Sequence, residues 1–330
     1  MNEEQAMDRA VMLAMAARPH PNPRVGCVLL DADGTVVGEG FHEKAGEAHA
    51  ERIALDSAKG PVHTAVVTLE PCTHHGRTPP CTEALIEAGV KRVAIGSVDP
   101  DDRVSGSGIK VLEEAGIEVA VVGPDIGDID PGYAHHRRTG RPRVLLKLAA
   151  TLDGQTATAS GESRWITGEQ ARLAAHRLRA QSDAVVVGMG TVLADNPRLD
   201  VRIEGFIGPQ PRPVVISGTR PMPADHSMVD PLIYAPSDGR SEVDLSDVLI
   251  DLGGRGYLNV MVEGGPTLAA AIWKAGLVDD VVVFLAGRIA GGVGKPMLAG
   301  VFGSLSEARD VHISGASLVG KDLMVKGSVI

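Results

Sequence analysis

At 330 residues the chain is longer than one usual domain, and a hydrophobic share of 44% can fill ordinary cores, so two domains are expected. A net charge of −10 repels phosphate backbones, and an aromatic share of 3% leaves few stacking platforms, which excludes nucleic acid as the general partner. The N-terminus Met1-Asn2-Glu3-Glu4-Gln5 has neither the basic nor the apolar region of a signal peptide, no apolar run reaches the ~20 residues of a membrane span, and three cysteines make no disulfide framework. A cytoplasmic protein with neither a nucleic-acid nor a membrane partner is the expectation.

Apolar positions Ala6, Ala10, Leu13, Ala14 and Ala17 recur with a helical period over 3–17. Strand-like runs follow at 25–30, 35–38, 64–69, 92–97 and 117–122, with helical segments at 49–58, 81–88 and 108–115. Gly89 and Gly116 stand where helix stops belong. This alternation predicts a layered α/β domain. The polar, basic run from Gly132 to Pro142 reads as a solvated crossing, which sets the domains at 1–142 and 143–330. A second α/β pattern then begins, with a buried strand at 144–149 carrying Lys147 in its middle. The turn Leu152-Asp153-Gly154, a helix at 172–180, a strand at 184–187 and Gly188-Met189-Gly190 come next. Later strands lie at 214–217, 232–235, 258–262 and 280–286, and a helix at 266–275 follows Glu263-Gly264-Gly265.

Two stretches of the first half carry the chemistry. His49-Ala50-Glu51 and Pro71-Cys72 through Cys81 supply one histidine, one glutamate and two cysteines. A catalytic zinc keeps three protein ligands and an open position for water, and His49, Cys72 and Cys81 are the expected ligands. Glu51 is the expected proton shuttle, since the glutamate of H-x-E is not a ligand in zinc deaminases. Eight residues separate the cysteines where the usual deaminase signature has two, so the chain departs from the nucleoside and nucleic-acid deaminases. The predicted layout opens one helix at His49 and another at Cys81, where the helix dipole favours a thiolate. Cys27, in the run from Val25 to Leu30, reads as a buried core thiol.

The second half is less explicit. Gly188-Met189-Gly190 follows a strand but lacks the third glycine of a dinucleotide fingerprint, because Leu193 stands there. Glu263-Gly264-Gly265-Pro266-Thr267 ends a strand and opens a helix whose backbone N–H groups can hold a phosphate; the same residues also suit a plain turn.

The motifs Pro21-Asn22-Pro23, Gly46-Glu47 with His49-Ala50-Glu51, and Leu69-Glu70-Pro71-Cys72 running to Thr78-Pro79-Pro80-Cys81 resemble the deaminase half of the bifunctional riboflavin-biosynthesis deaminase–reductase family, RibD. Leu152-Asp153-Gly154, Ser163-Arg164-Trp165-Ile166-Thr167, the run from Gly190 to Asp195 and Glu263 with Gly265-Pro266-Thr267-Leu268 resemble its reductase half, in the same order. The resemblance implies a cytidine-deaminase-like three-layer α/β/α domain followed by a dihydrofolate-reductase-like α/β domain. It implies zinc-dependent deamination of a diaminopyrimidinone carrying a phosphoribosylamino group, then NADPH-dependent reduction of the ribosyl side chain to ribityl. By the same resemblance Asn22, His74 and Arg77 hold the first substrate. Lys147, Ser163, Arg179, Leu199, Arg202 and Glu263 line the second substrate site. NADPH meets Ala149, Trp165, Thr191, Asp195, Gly218 and the loop of Gly265, Pro266, Thr267, Leu268, Ala269, Ala270 and Ala271. Arg220, just past the strand at 214–217, is the candidate for the cofactor's 2′-phosphate. A phosphorylated pyrimidine is the expected small-molecule partner, and a homo-oligomer, dimer or tetramer, is expected.

Two rivals stand beside this reading. One keeps the deaminase and makes the second half a degenerate dimerisation module, which NADPH-binding calorimetry separates. The other makes the zinc structural in a nucleotide-binding regulator, which needs a fourth protein ligand.

Overall fold

The computed structural model describes residues 1–330 except 76–78, 102–103, 164, 238 and 301–302. The chain divides into two compact units, Met1–Gly140 and Arg141–Ile330. No helix among the described residues is long and apolar enough to cross a membrane.

The first unit is built on a five-stranded sheet in the order β2-β1-β3-β4-β5, from β1 Gly26–Leu30, β2 Val36–Phe41, β3 Thr64–Leu69, β4 Arg92–Ser97 and β5 Glu118–Val121. β1 runs antiparallel to both neighbours, and β3, β4 and β5 run parallel. Every residue of β1 and β3 is buried, as continuous apolar strands covered on two faces require. Helix α1, Glu3–Ala14, covers one face, where Ala6, Met7 and Ala10 meet Val28, Leu30, Val66 and Ala94. Helix α2, Ala50–Ser57, lies against β2, and Gly40 is what admits it, since a Cβ there would sit 2.5 Å from the Ala50 carbonyl oxygen. Helices α3, Cys81–Glu87, α4, Ser107–Glu114, α5, Ile126–Ile129, and α6, Pro131–Thr139, complete the unit.

Helix α6 corrects the expectation of a solvated crossing over 132–142. Asp130 caps it by accepting from the Tyr133 N–H, and Pro131 occupies its first turn. Tyr133 and Ala134 turn inward and are buried. The basic residues His136, Arg137 and Arg138 fill the last turn, where the dipole favours cations, before Gly140 ends the helix at φ 75°. The charge run is therefore one helix end, not a linker.

The second unit carries an eight-stranded sheet, β10-β9-β8-β11-β6-β12-β15-β14. Its strands are β6 Arg143–Thr151, β8 Ala184–Gly188, β9 Arg212–Ile216, β10 Leu232–Tyr234, β11 Asn259–Val262, β12 Asp280–Ala286, β14 Val311–Val319 and β15 Asp322–Val329. The six strands from β10 to β12 are parallel, and the β14–β15 hairpin adds on antiparallel. A small pair, β7 Gln155–Ala157 with β13 Lys295–Pro296, stands apart. Helices α7 Glu169–Ala180, α8 Met189–Asp195, α9 Leu245–Gly254 and α10 Pro266–Lys274 connect the strands. One core gathers Val144, Leu146, Val186, Val260 and Val262 with Leu249, Leu252 and Ile272. Three of the connected loops, after β9, β8 and β11, leave the carboxyl ends of adjacent parallel strands, the usual place for a ligand crevice in such sheets.

Candidate active sites

In the first unit, a cavity of about 470 Å³ is lined by Asn22, His42, His49, Glu51, Cys72 and His74 among others. His49 caps α2 from its extended backbone, Glu51 sits in the first turn of α2, Cys72 follows β3, and Cys81 opens α3. His49 Nδ1 lies 3.5 Å from Cys72 Sγ and 3.3 Å from Cys81 Sγ, and all three ligand atoms fall within 4.8 Å of one another. A tetrahedral zinc bonded at about 2.0 Å to nitrogen and 2.3 Å to sulfur separates such atoms by roughly 3.6 Å. The geometry fits.

The charges fit as well. A hydrogen bond from Cys81, against the opposing effect of burial and with help from His49, brings the Cys72 thiol down to about 4. The same bond and burial push the Cys81 thiol far up, because each of the two close sulfurs opposes ionisation of the other. A cation between them removes that conflict and lets both ionise. Glu51 is 3% exposed, and burial, reinforced by the charge at Cys72, pushes its carboxyl up to about 7. Cys27 is fully buried and its thiol is pushed up by the same desolvation, as a core thiol should be.

The structure adds residues that motif reading missed. His42 sits edge-on to His49, with ring centroids 5.2 Å apart. Its Nδ1 meets the Ala48 carbonyl at 2.9 Å and its Nε2 meets Asn22 Nδ2 at 2.9 Å, so it braces an expected substrate residue. Asp99, Asp101, Tyr133 and Arg137 also line the cavity. Tyr133 Oη donates toward the Asp99 carboxylate, 3.2 Å from both oxygens, and Arg137 stacks on the Tyr133 ring at 4.9 Å. The run Asp99-Pro100-Asp101 just past β4 was the available signal, because active-site loops gather at strand ends. Arg77 lies outside the described residues.

In the second unit three expected residues from three elements meet. Glu263 takes Lys147 Nζ at 3.1 Å and Arg179 Nε at 2.9 Å. Burial works against the Glu263 carboxylate, yet the charges of Lys147 and Arg179 carry it down to about 2. Arg179 also donates to the Asp200 carbonyl at 3.0 Å, and Arg202 pairs with the Asp200 carboxylate. His176 accepts from the Arg202 N–H at 3.2 Å. Ser163 lies between β7 and α7, with no contact described to this cluster.

Two expectations need correction here. Leu199 was expected to line the substrate site, but its side chain is 2% exposed and packs with Val185, Val187, Met189 and Met261. Its backbone, at φ 57°, is all it can offer a ligand. The segment from Gly265 to Ala271 is not a loop: α10 begins at Pro266, and Leu268, Ala269 and Ala270 point into the core. In this segment Gly265 and Pro266 are half-buried, and Thr267 and Ala271 are exposed.

The cofactor candidates cluster on the three adjacent strand ends. Thr191 Oγ1 accepts from the Gly265 N–H at 3.1 Å, tying the first turn of α8 to the start of α10. No side chain caps α10: Pro266 has no N–H and the Gly265 N–H goes to Thr191, so the Thr267 and Leu268 N–H groups are the first without a capping side chain. Arg220 reaches the same place: a Cβ on Gly190 would lie 3.9 Å from its Nη2. Gly218, at φ 57°, shapes the turn that delivers Arg220. Asp195 ends α8, and Ala149 lies on β6 with its carbonyl bonded by Thr156. Trp165 is 65% exposed under the Arg172 guanidinium. Helix-start N–H groups without a capping side chain and a guanidinium are donors of the kind that pyrophosphate and phosphate groups take.

Known proteins resemble the chain along its length. Residues 1–97 match the family described as the cytidine and deoxycytidylate deaminase zinc-binding region, and residues 142–324 match the RibD C-terminal domain. The riboflavin biosynthesis protein RibD of Escherichia coli is 42% identical, over 88% of this chain and 89% of that protein. The solved structure of Acinetobacter baumannii RibD superposes with a TM-score of 0.90 at 32% identity, covering 99% of both chains. A Thermotoga maritima structure described as a diaminohydroxyphosphoribosylaminopyrimidine deaminase and 5-amino-6-(5-phosphoribosylamino)uracil reductase superposes at 0.84, with 32% identity and 99% of both chains covered.

Proposed function

The chain belongs to the RibD family of bifunctional riboflavin-biosynthesis enzymes, a zinc-dependent deaminase joined to an NADPH-dependent reductase, and from that premise we propose which residues carry each reaction. Residues 1–142 form the deaminase and 143–330 the reductase. The observation that carries the reading is the His49, Cys72 and Cys81 cluster with buried Glu51 beside it in one cavity.

His49, Cys72 and Cys81 hold the zinc, which when bound lowers the pKa of water at its open position. Glu51 takes one proton from the attacking water and passes it to the ring nitrogen as the C–O bond forms, then takes the second from the hydroxyl now on the ring carbon and passes it to the amine, which leaves as ammonia as the C–N bond breaks. A buried carboxyl near neutrality suits both directions of that transfer. Asn22, His74 and Arg77 orient the diaminopyrimidinone.

In the second half Lys147 and Glu263 face the sugar carbon to be reduced. Arg202, with Ser163 and the Leu199 backbone, clamps the phosphate away from it, while Arg179 holds Glu263 within the same site. Planar guanidinium forks match phosphate oxygens, and a distant clamp fixes orientation. NADPH, when bound, supplies the hydride. It is held by Thr191, Asp195, Gly218, Ala149, Trp165 and the start of α10 from Gly265. Without NADPH, product analysis should find the deaminated pyrimidine with its ribose ring intact; recovery of unchanged substrate would refute the deaminase assignment.

Arg220 reads the 2′-phosphate. A charge-assisted contact of this kind is worth about 1.5–3 kcal/mol. Arg220→Ala should raise KM for NADPH by about tenfold or more and leave NADH use nearly unchanged. Equal weakening toward both cofactors, or none, rules Arg220 out.

A homo-oligomer would meet along β14, the sheet's nine-residue edge, whose outward face shows Ile313 at 63% and Leu318 at 77% exposure. An unprotected edge with apolar side chains invites a second copy. Sedimentation should find dimers or larger in the wild type and a smaller species in an Ile313→Glu, Leu318→Glu double variant; a wild-type monomer at working concentration refutes this. The cytoplasm suits three unbridged thiols, two of them meant for metal.

A further inference from the structure

We propose that Glu70 is the positioning residue for the loop that walls the deaminase cavity. The inference rests on the deaminase reading of that cavity. Glu70 is 4% exposed and lies two residues before Cys72. Its Oε2 accepts from the N–H groups of Asp99 at 3.2 Å and Gly106 at 2.9 Å. Its Oε1 accepts from Gly108 at 2.7 Å and Ile109 at 3.3 Å. These donors come from the two ends of one segment, so a single carboxylate draws the ends together. Asp99 at one end and Asp101 and Val104 between the ends line the cavity with Glu51, Glu70 and Cys72.

Local sequence does not do this work. The residue capping α4 is Gly106, which has no side chain to satisfy the first N–H groups of the helix. Glu70 supplies the acceptor from a distant strand end, with its negative charge at the favourable end of the dipole. The seating is close: a Cβ on Gly108 would lie 2.1 Å from the Pro71 carbonyl oxygen. The turn bearing a zinc ligand and the start of α4 are thus in direct backbone contact.

The same geometry excludes a second general base. A carboxylate has about four accepting positions, and four backbone donors occupy those of Glu70. Glu70 borders the cavity, but its carboxylate is committed to the loop's N–H groups, so its influence on substrate runs through the loop. Losing loop placement removes ground-state and transition-state binding alike, which raises KM more than it lowers kcat.

Glu70→Gln preserves shape but turns an NH2 toward two N–H donors. In the full-length enzyme it should raise the deaminase KM for the phosphoribosylamino diaminopyrimidinone by at least about tenfold and lower kcat by less than about threefold. Zinc content and NADPH-dependent reduction of presupplied deaminated substrate should match the wild type. Gly106→Ala, at φ 77° with nothing within 4 Å of the new methyl, strains the same loop end without touching the carboxylate and should also raise KM. A Gln variant that loses zinc, or loses kcat at unchanged KM, assigns Glu70 to the Cys72 turn alone and overturns the proposal. If the Gln variant does not fold, an unchanged KM in Gly106→Ala overturns it. A wild type that releases no ammonia from this substrate overturns the deaminase reading instead.

Discussion

Glu51→Gln is expected to cut deamination by about 10²–10⁴-fold, the usual contribution of a positioned acid–base group, while zinc content and NADPH-dependent reduction stay at wild-type levels. The reasoning is geometric. Glu51 follows His49 by two residues at the start of α2, yet among the described residues it is outside the close set of metal-ligating atoms that His49, Cys72 and Cys81 form. Gln keeps the size and the hydrogen-bonding reach but cannot take up a proton. Zinc measured in the purified variant separates the two roles: a fall in metal content would make Glu51 a ligand and end its assignment as proton shuttle.

Cys72→Ser and Cys81→Ser have the other large expected effect. Each removes one of three protein ligands, so zinc and deamination should disappear together. Reduction of presupplied deaminated substrate should persist, because the second unit has its own sheet and its own core. Its ion cluster of Lys147, Arg179 and Glu263 is drawn wholly from residues beyond 140. Loss of both activities in a protein that still folds would contradict two separate sites.

The deaminase chemistry is legible because each of its parts is a short motif at an element end, although the parts lie 23 and 32 residues apart. H-x-E at a helix start and two cysteines after a strand end need only correct secondary structure to meet, and β3 and α3 begin where the apolar runs place them. The reductase site is not local. Lys147 comes from β6, Arg179 from α7 and Glu263 from the end of β11, and no spacing along the chain encodes their meeting. There the family resemblance supplied residues, and the structure sorted them: Leu199 and Ala269 are core side chains, while Lys147, Arg179 and Glu263 form one half-buried ion cluster. Tertiary context explains the other misses. The run at 132–142 looks like linker by charge, but Asp130 and Pro131 start a helix and Tyr133 anchors it beside Asp99. Glu70 stood within a quoted motif, but its partners lie 29 to 39 residues away, beyond any pattern in the chain.

The central claim is that one chain carries out two consecutive reactions, and ammonia and NADPH followed together in one tube test it most directly. With the phosphoribosylamino diaminopyrimidinone as substrate, ammonia should appear first, and NADPH should then be consumed in equal amount as the deaminated intermediate is reduced. Ammonia release without NADPH consumption would reduce the second half to a structural module. NADPH consumption without ammonia would contradict the assigned order and the zinc site's role in it.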